Sequence, residues 1–285
     1  MIASHRPRML LAALAAASLV MVGSVTGPPA ANAAHGPAEP SQVTTMAALG
    51  DSITLGTMSC LSISGCAANS WSTGTNTKVD SHFQRLVRSG ATELVAYNYA
   101  VSGAKSEELD EQAAQAVGQR AQYVTIEIGA NDACTSTVGA MTSTEAFRAN
   151  VRAALIALDA SPADPQVFIA GIPDLERLHE INRNNRTAVR TWNSLKICQS
   201  MLANPTSNRP ADAQRRAAVQ QRVHEYNAVL QDECAQAEHC RYDGGAVANH
   251  RFASADISTR DYFHPSVTGQ ATLATVTWPQ TQWAP

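Results

Sequence analysis

Short apolar runs alternate with amphipathic stretches along this chain, and that alternation limits the folds open to it. The runs at 44–49, 93–100, 122–128 and 166–172 have strand length and are bounded by turn residues. Helical patterns lie between and after them. Val79, Phe83, Leu86 and Val87 share one face of a helix expected over about 76–88. An alanine-rich helix is expected over 106–117. Phe147, Val151, Ala154, Leu155 and Leu158 mark another, with Thr142 and Glu145 spaced to cap its start reciprocally. Val219, Val223, Tyr226 and Leu230 mark a long helix over about 212–237, and 266–276 reads as a final helix capped by Ser266. A short last strand is expected within 244–254. Strands alternating with helices favour a parallel sheet covered on both faces, a three-layer α/β/α sandwich with a central parallel sheet of about five strands.

The first run ends in Gly50-Asp51-Ser52. A buried strand meeting a turn places that serine at the carboxyl end of the strand, where open α/β sheets bind ligands. A serine there can act as a nucleophile if another group takes its proton, and otherwise simply caps a turn. Near the other end, Asp261 and His264 stand three residues apart just before the last helix, and Pro265 fixes the chain as it leaves His264. Taken alone, that pair reads more readily as a surface histidine beside a turn acid. Between the two ends lie Asn98-Tyr99-Ala100-Val101-Ser102-Gly103 and Gly129-Ala130-Asn131-Asp132. These blocks, in this order, resemble the SGNH, or GDSL-type, hydrolases, with Gly-Asp-Ser-Ile in place of Gly-Asp-Ser-Leu. The likeness extends over the mature chain and is closest to the secreted actinobacterial esterases and lipases.

The resemblance implies a flavodoxin-like strand order and a secreted, metal-independent serine esterase or lipase that needs no cofactor. Ser52 is then the nucleophile that forms an acyl-enzyme, His264 the base and later the acid, and Asp261 the group that orients the imidazole. Some enzymes of this type position the histidine partly with a backbone carbonyl, which leaves the share carried by Asp261 open. The oxyanion hole implied is the backbone N–H of Ser52, the backbone N–H of Gly103 and the side-chain amide of Asn131. Gly103 has no side chain to obstruct the approach, and Asn131 offers donors without charge. Asp51 and Asp132 are expected to brace their neighbours. The substrate is expected to be a small-molecule or lipid ester, and the protein a monomer. Rival readings on the same fold are an acetylxylan-type carbohydrate esterase and a phospholipase, and from another class a non-catalytic secreted binding protein. The segment 173–210 has no clear period and is expected to hold short helices that wall the substrate site. His35, His82, His179, His224, His239 and His250 lack a partner motif and read as surface or packing residues.

Composition and cysteine usage bound the rest. His5, Arg6 and Arg8 precede an apolar run over 9–22, and Ala31-Asn32-Ala33 supplies small residues for cleavage. Residues 1–33 therefore read as a secretory signal peptide, which leaves 34–285 as one hydrolase domain with a flexible lead-in to about residue 42. A membrane anchor is the alternative, but the run falls short of the roughly 20 residues that a span needs. All six cysteines follow this segment, which in an exported chain favours three disulfides. Proximity favours Cys60 with Cys66 and Cys234 with Cys240, leaving Cys134 with Cys198. A metal site is the competing use, but no C-x-x-C and no histidine pair at ligand spacing occurs. The net charge of −3, with no long run of one sign, does not suggest nucleic acid or an anionic membrane surface as partner.

Overall fold

A computed structural model describes residues 39–62 and 65–284. The expected signal peptide over 1–33 lies outside the described residues. Five strands form one sheet: β1 (Thr45–Gly50), β2 (Val95–Asn98), β3 (Tyr123–Glu127), β4 (Gln166–Ile169) and β5 (Cys240–Tyr242). Their order is β2-β1-β3-β4-β5 and every pairing is parallel, which is the flavodoxin-like arrangement. The central strand β3 is buried along its whole length, and β1 and β4 are buried except at their first residues. Their unbroken apolar runs reflect that double burial, since a parallel sheet is covered on both faces.

The helices are α1 (His82–Arg88), α2 (Leu109–Gly118), α3 (Ala130–Ala133), α4 (Thr144–Asp159), α5 (Leu175–Asn182), α6 (Arg186–Leu195), α7 (Gln199–Leu202), α8 (Pro210–Cys234) and α9 (Val267–Thr277). Helices α2, α4 and α8 pack in sequence against one another on one face. On the other face, fully buried His82 of α1 ties the layers together. Its Nδ1 lies 2.7 Å from the Tyr123 hydroxyl of β3, and its Nε2 lies 2.8 Å from the Thr277 hydroxyl of α9. The strand order reverses beside β1, so the loops after β1, β2 and β3 open a crevice at their carboxyl ends.

Three local expectations need correction. Helix α1 begins at His82 and not near residue 76, because Asp80 takes a left-handed conformation (φ 54°) and Ser81 caps the helix by accepting from the N–H of Gln84. Val79 is buried as the stripe implied, but from a turn. The cap of α4 is Ser143, which accepts from the N–H of Ala146 at 3.1 Å, while Thr142 serves as a tether through its carbonyl, which accepts from Arg222 at 2.6 Å. The last strand is Cys240–Tyr242, upstream of 244–254. Gly244 and Gly245 both adopt positive φ and fold the chain around Asp243, whose carboxylate accepts from the N–H groups of Gly171, Gly245 and Val247.

Disulfides join Cys60 to Cys66, Cys134 to Cys198 and Cys234 to Cys240. Among the described residues, no helix is long and apolar enough to cross a membrane.

Candidate active site

The turn after β1 is shaped by what presses on it. Gly50 has φ 135°, and a Cβ there would lie 2.0 Å from the backbone oxygen of Glu127 on β3, so only glycine allows the strands to pair to their ends. Two buried glutamines then hold the turn. Gln112 of α2 accepts from the N–H of Gly50 at 2.6 Å and donates to its carbonyl at 3.0 Å. Gln270 of α9 donates to the carbonyl of Ile53 at 2.7 Å and accepts from the N–H of Trp71 at 2.8 Å. Ser52 projects from this clamped turn.

The loop before α9 meets it. His264 Nε2 lies 2.8 Å from Ser52 Oγ, and His264 Nδ1 lies 2.5 Å from Asp261 Oδ2. The other oxygen of Asp261 accepts from the N–H groups of Phe263 and His264 at 3.0 and 3.1 Å. Burial alone would push the Asp261 carboxyl up. The His264 hydrogen bond and charge, with those two N–H groups, outweigh it and hold the carboxyl below its ordinary value. An ionised Asp261 can only accept, so Nδ1 carries the proton and Nε2 is free to accept from the Ser52 hydroxyl.

Ser52, Gly103, Asn131 and His264 line one open cleft of about 340 Å³, with Thr57, Ser102, Ile197, Phe263 and the Cys134–Cys198 disulfide. Among the described residues, the backbone N–H groups of Ser52 and Gly103 have no acceptor. The amide of Asn131 donates to the carbonyl of Ala104 at 3.0 Å and, more loosely, to Asp51 Oδ2 at 3.3 Å. The longer contact is the one that a stronger acceptor in the cleft can displace. Asp132 braces the neighbouring loop: its carboxylate accepts from the N–H and hydroxyl of Ser106 at 2.9 and 2.8 Å. A separate apolar slot of about 50 Å³ lies against the first cleft, lined by Ile53, Ala130, Pro173, Leu175, Leu178 and Phe252 among others. Phe263 and His264 border both.

Beneath the turn, two acids are buried. Desolvation pushes Asp51 up to about 7, against the opposing pull of the Ile53 N–H and His264, with Asp132 adding to the rise. Glu127 rises well above the carboxylate range, first by burial and then through Asp51 and Asp243, and neither of its oxygens has a hydrogen-bond partner. It is therefore held as a neutral acid. Among the described residues, no group of three or more His, Cys, Asp or Glu side chains is placed to hold a metal ion.

The residues singled out in the sequence thus converge on one crevice. The segment 173–210 was expected to wall the site with short helices, and α5 and residues 197–198 do line the two cavities, but the clamps Gln112 and Gln270 were not foreseen. The two glutamines did leave a signal, since each occupies the apolar stripe of its helix: Leu109, Gln112, Ala113 and Ala116 in α2, and Gln270, Leu273, Ala274 and Thr277 in α9.

A hydroxyl, an imidazole and a carboxylate in series, above the strand ends of a parallel sheet, define a class of α/β proteins able to activate a serine oxygen. Within that class, residues 48–272 match the GDSL-like Lipase/Acylhydrolase family, and the chain belongs to it. Its fold is similar to that of an alpha/beta hydrolase enzyme from the metagenome of Lake Arreo, Spain, at 15% identity and a TM-score of 0.53, covering 85% of this chain and 96% of that one. An extracellular lipase from Streptomyces rimosus aligns at 18% identity, TM-score 0.47, with 84% and 100% of the two chains covered. Phospholipase A1 from Streptomyces albidoflavus NA297 aligns at 17% identity, TM-score 0.47, with 84% and 100% covered. No curated protein matches the chain.

Proposed function

We propose that this chain is a secreted serine ester hydrolase that cleaves short-chain acyl esters through an acyl-Ser52 intermediate. The observation that carries the reading is the line from Ser52 Oγ through His264 to Asp261, at 2.8 and 2.5 Å, beside two unused backbone N–H groups. As Ser52 Oγ bonds to the acyl carbon, its proton passes to His264 Nε2. The carbonyl oxygen becomes an oxyanion and meets the N–H groups of Ser52 and Gly103, with the Asn131 amide turning from Asp51 to join them. The tetrahedral intermediate collapses, the carbon–alkoxy bond breaks, and the leaving oxygen takes the proton from Nε2. Water then repeats the sequence in reverse roles, releasing the acid and restoring Ser52. Asp261 stays ionised throughout and stabilises the imidazolium.

The apolar slot supports a short acyl group. A water needs about 10–15 Å³ on the same measure, so the slot has room for roughly four non-hydrogen atoms. A long-chain lipase or phospholipase would need more apolar volume. The Thr57 and Ser102 hydroxyls in the open cleft, 2.8 Å apart, also favour an acetylated sugar as substrate. The test is kcat/KM on p-nitrophenyl acetate, butyrate, octanoate and palmitate, with acetate release from acetylated xylan in parallel. Acetate or butyrate is expected to be best, and a palmitate optimum would defeat the assignment. Export rests on the leader-like 1–33 segment and the three disulfides. The secreted protein is expected to begin at Ala34 on amino-terminal sequencing, and an uncleaved chain in the cell fraction would contradict export.

A further inference from the structure

The open cleft contains a residue that the reaction does not use. Ile197 lines it, half-buried, between α6 and α7. The residues on either side of it, Lys196 and Cys198, both hold left-handed backbone at φ 54° and 42°. Two non-glycine residues in this region, one on each side of Ile197, are costly, and such strain persists only where the surroundings enforce it. Both sides of the segment are in fact anchored to the catalytic machinery. On one side the N–H of Ile197 donates to the carbonyl of Trp192, and the indole N–H of fully buried Trp192 donates at 3.1 Å to the carbonyl of Tyr262, in the loop that carries Asp261 and His264. On the other side Cys198 is bonded to Cys134, three residues after Asn131. Ser200 reinforces that side: its hydroxyl donates to the carbonyl of Ala133 at 2.7 Å and accepts from the N–H of Thr135 at 3.2 Å.

We infer that Ile197 is a specificity-determining residue for the alcohol half of the ester, fixed in the cleft by the Cys134–Cys198 disulfide, and that it selects compact, hydroxyl-bearing alcohols. The inference rests on the ester-hydrolase reading. A narrow, mostly apolar slot suits the acyl chain, so the oxygen-bearing leaving group falls to the open cleft, where Thr57 and Ser102 offer hydroxyls. Ile197 supplies apolar contact there together with Phe263, and limits width. Its anchoring matters because a free loop would yield to a bulky alcohol and exclude nothing.

The test holds the acyl group constant and varies the alcohol, using methyl, glyceryl, p-nitrophenyl and 2-naphthyl acetates with the wild type, Ile197→Ala and Ile197→Trp. Ile197→Ala is expected to raise the 2-naphthyl to methyl ratio of kcat/KM by about tenfold, and Ile197→Trp to lower it by a similar factor, the scale set by a few methylenes in a pocket. The Cys134→Ala/Cys198→Ala double variant is expected to shift the ratio as Ile197→Ala does. Deacylation involves no alcohol, so its rate after a p-nitrophenyl acetate burst should match the wild type in both Ile197 variants. A ratio that does not move, or slowed deacylation, would each overturn the inference. Turnover surviving in Ser52→Ala would instead overturn the ester-hydrolase reading on which it rests.

Discussion

Asn131 is the proposed oxyanion donor that can be tested apart from the Ser52–His264–Asp261 line, because its side-chain amide donates to Asp51 and the Ala104 carbonyl and to no member of that line. Asn131→Ala is expected to lower kcat by about 10²–10³ with little change in KM, as loss of one oxyanion donor does. An unchanged kcat would remove the amide from the hole. Gln270 acts one step further out. Gln270→Leu leaves the Trp71 N–H buried without a partner, at about 1–3 kcal/mol, and takes one of two donors from the Ile53 carbonyl, which keeps the Gly56 N–H. Urea unfolding should show that loss, and a midpoint equal to the wild type would mean that the turn does not depend on the clamp. His82 makes a pH prediction. Burial lowers it from its ordinary value of 6.5 to about 3, with Arg85 adding to the fall. Below about pH 6.5 the unfolded chain therefore takes up a proton that the folded chain refuses. Stability falls as pH drops from 6.5 towards 3, with a limiting slope of about 1.4 kcal/mol per pH unit from this group. His82→Gln, which can still hydrogen-bond, should lose less stability between pH 7 and pH 5 than the wild type. Equal slopes would show that His82 is not held neutral.

The elements differ in how far they announce themselves. Helix α4 and the middle of α8 were legible because their apolar residues recur on one face, and those residues are all buried. Strands β1, β3 and β4 were legible as continuous apolar runs. The region 173–210 was not, because its short helices bury only a few residues each and take their places from ties elsewhere: Trp192 to Tyr262, Cys198 to Cys134, and Arg215 to the carbonyls of Ser200 and Ala203. No periodicity records contacts of that kind. The two disulfides at the ends of α8 and beside α7 should also differ in weight. Cys134–Cys198 closes a separation of 64 residues and Cys234–Cys240 one of 6. Chain entropy then assigns about 4 kcal/mol to the first and about 2 kcal/mol to the second. Paired Cys→Ala variants measured by urea unfolding should keep that order, and the reverse order would mean that native packing around α7 compensates for the lost tie.

At the scale of the molecule, the chain brings together at one crevice residues more than 200 positions apart, because Ser52, Gly103 and Asn131 follow three neighbouring strands and His264 precedes the helix that returns across the sheet. The candidate residues could be picked out in the sequence through the family resemblance that the four motif blocks carry, since each block taken alone reads at least as readily as an ordinary turn. The shapes of the slot and the cleft could not, since they arise where α5, the 195–199 turn and the loop before α9 meet, and each contributes only one or a few side chains. The claim on which the rest depends is that Ser52 carries the acyl group. The direct measurement is rapid acid quench of the protein with p-nitrophenyl acetate, followed by intact-mass and peptide analysis of the wild type and Ser52→Ala. A single acetyl group on the peptide containing Ser52, absent from the variant together with turnover, is the expected result. An acetyl group on another residue, or undiminished turnover in Ser52→Ala, would contradict it.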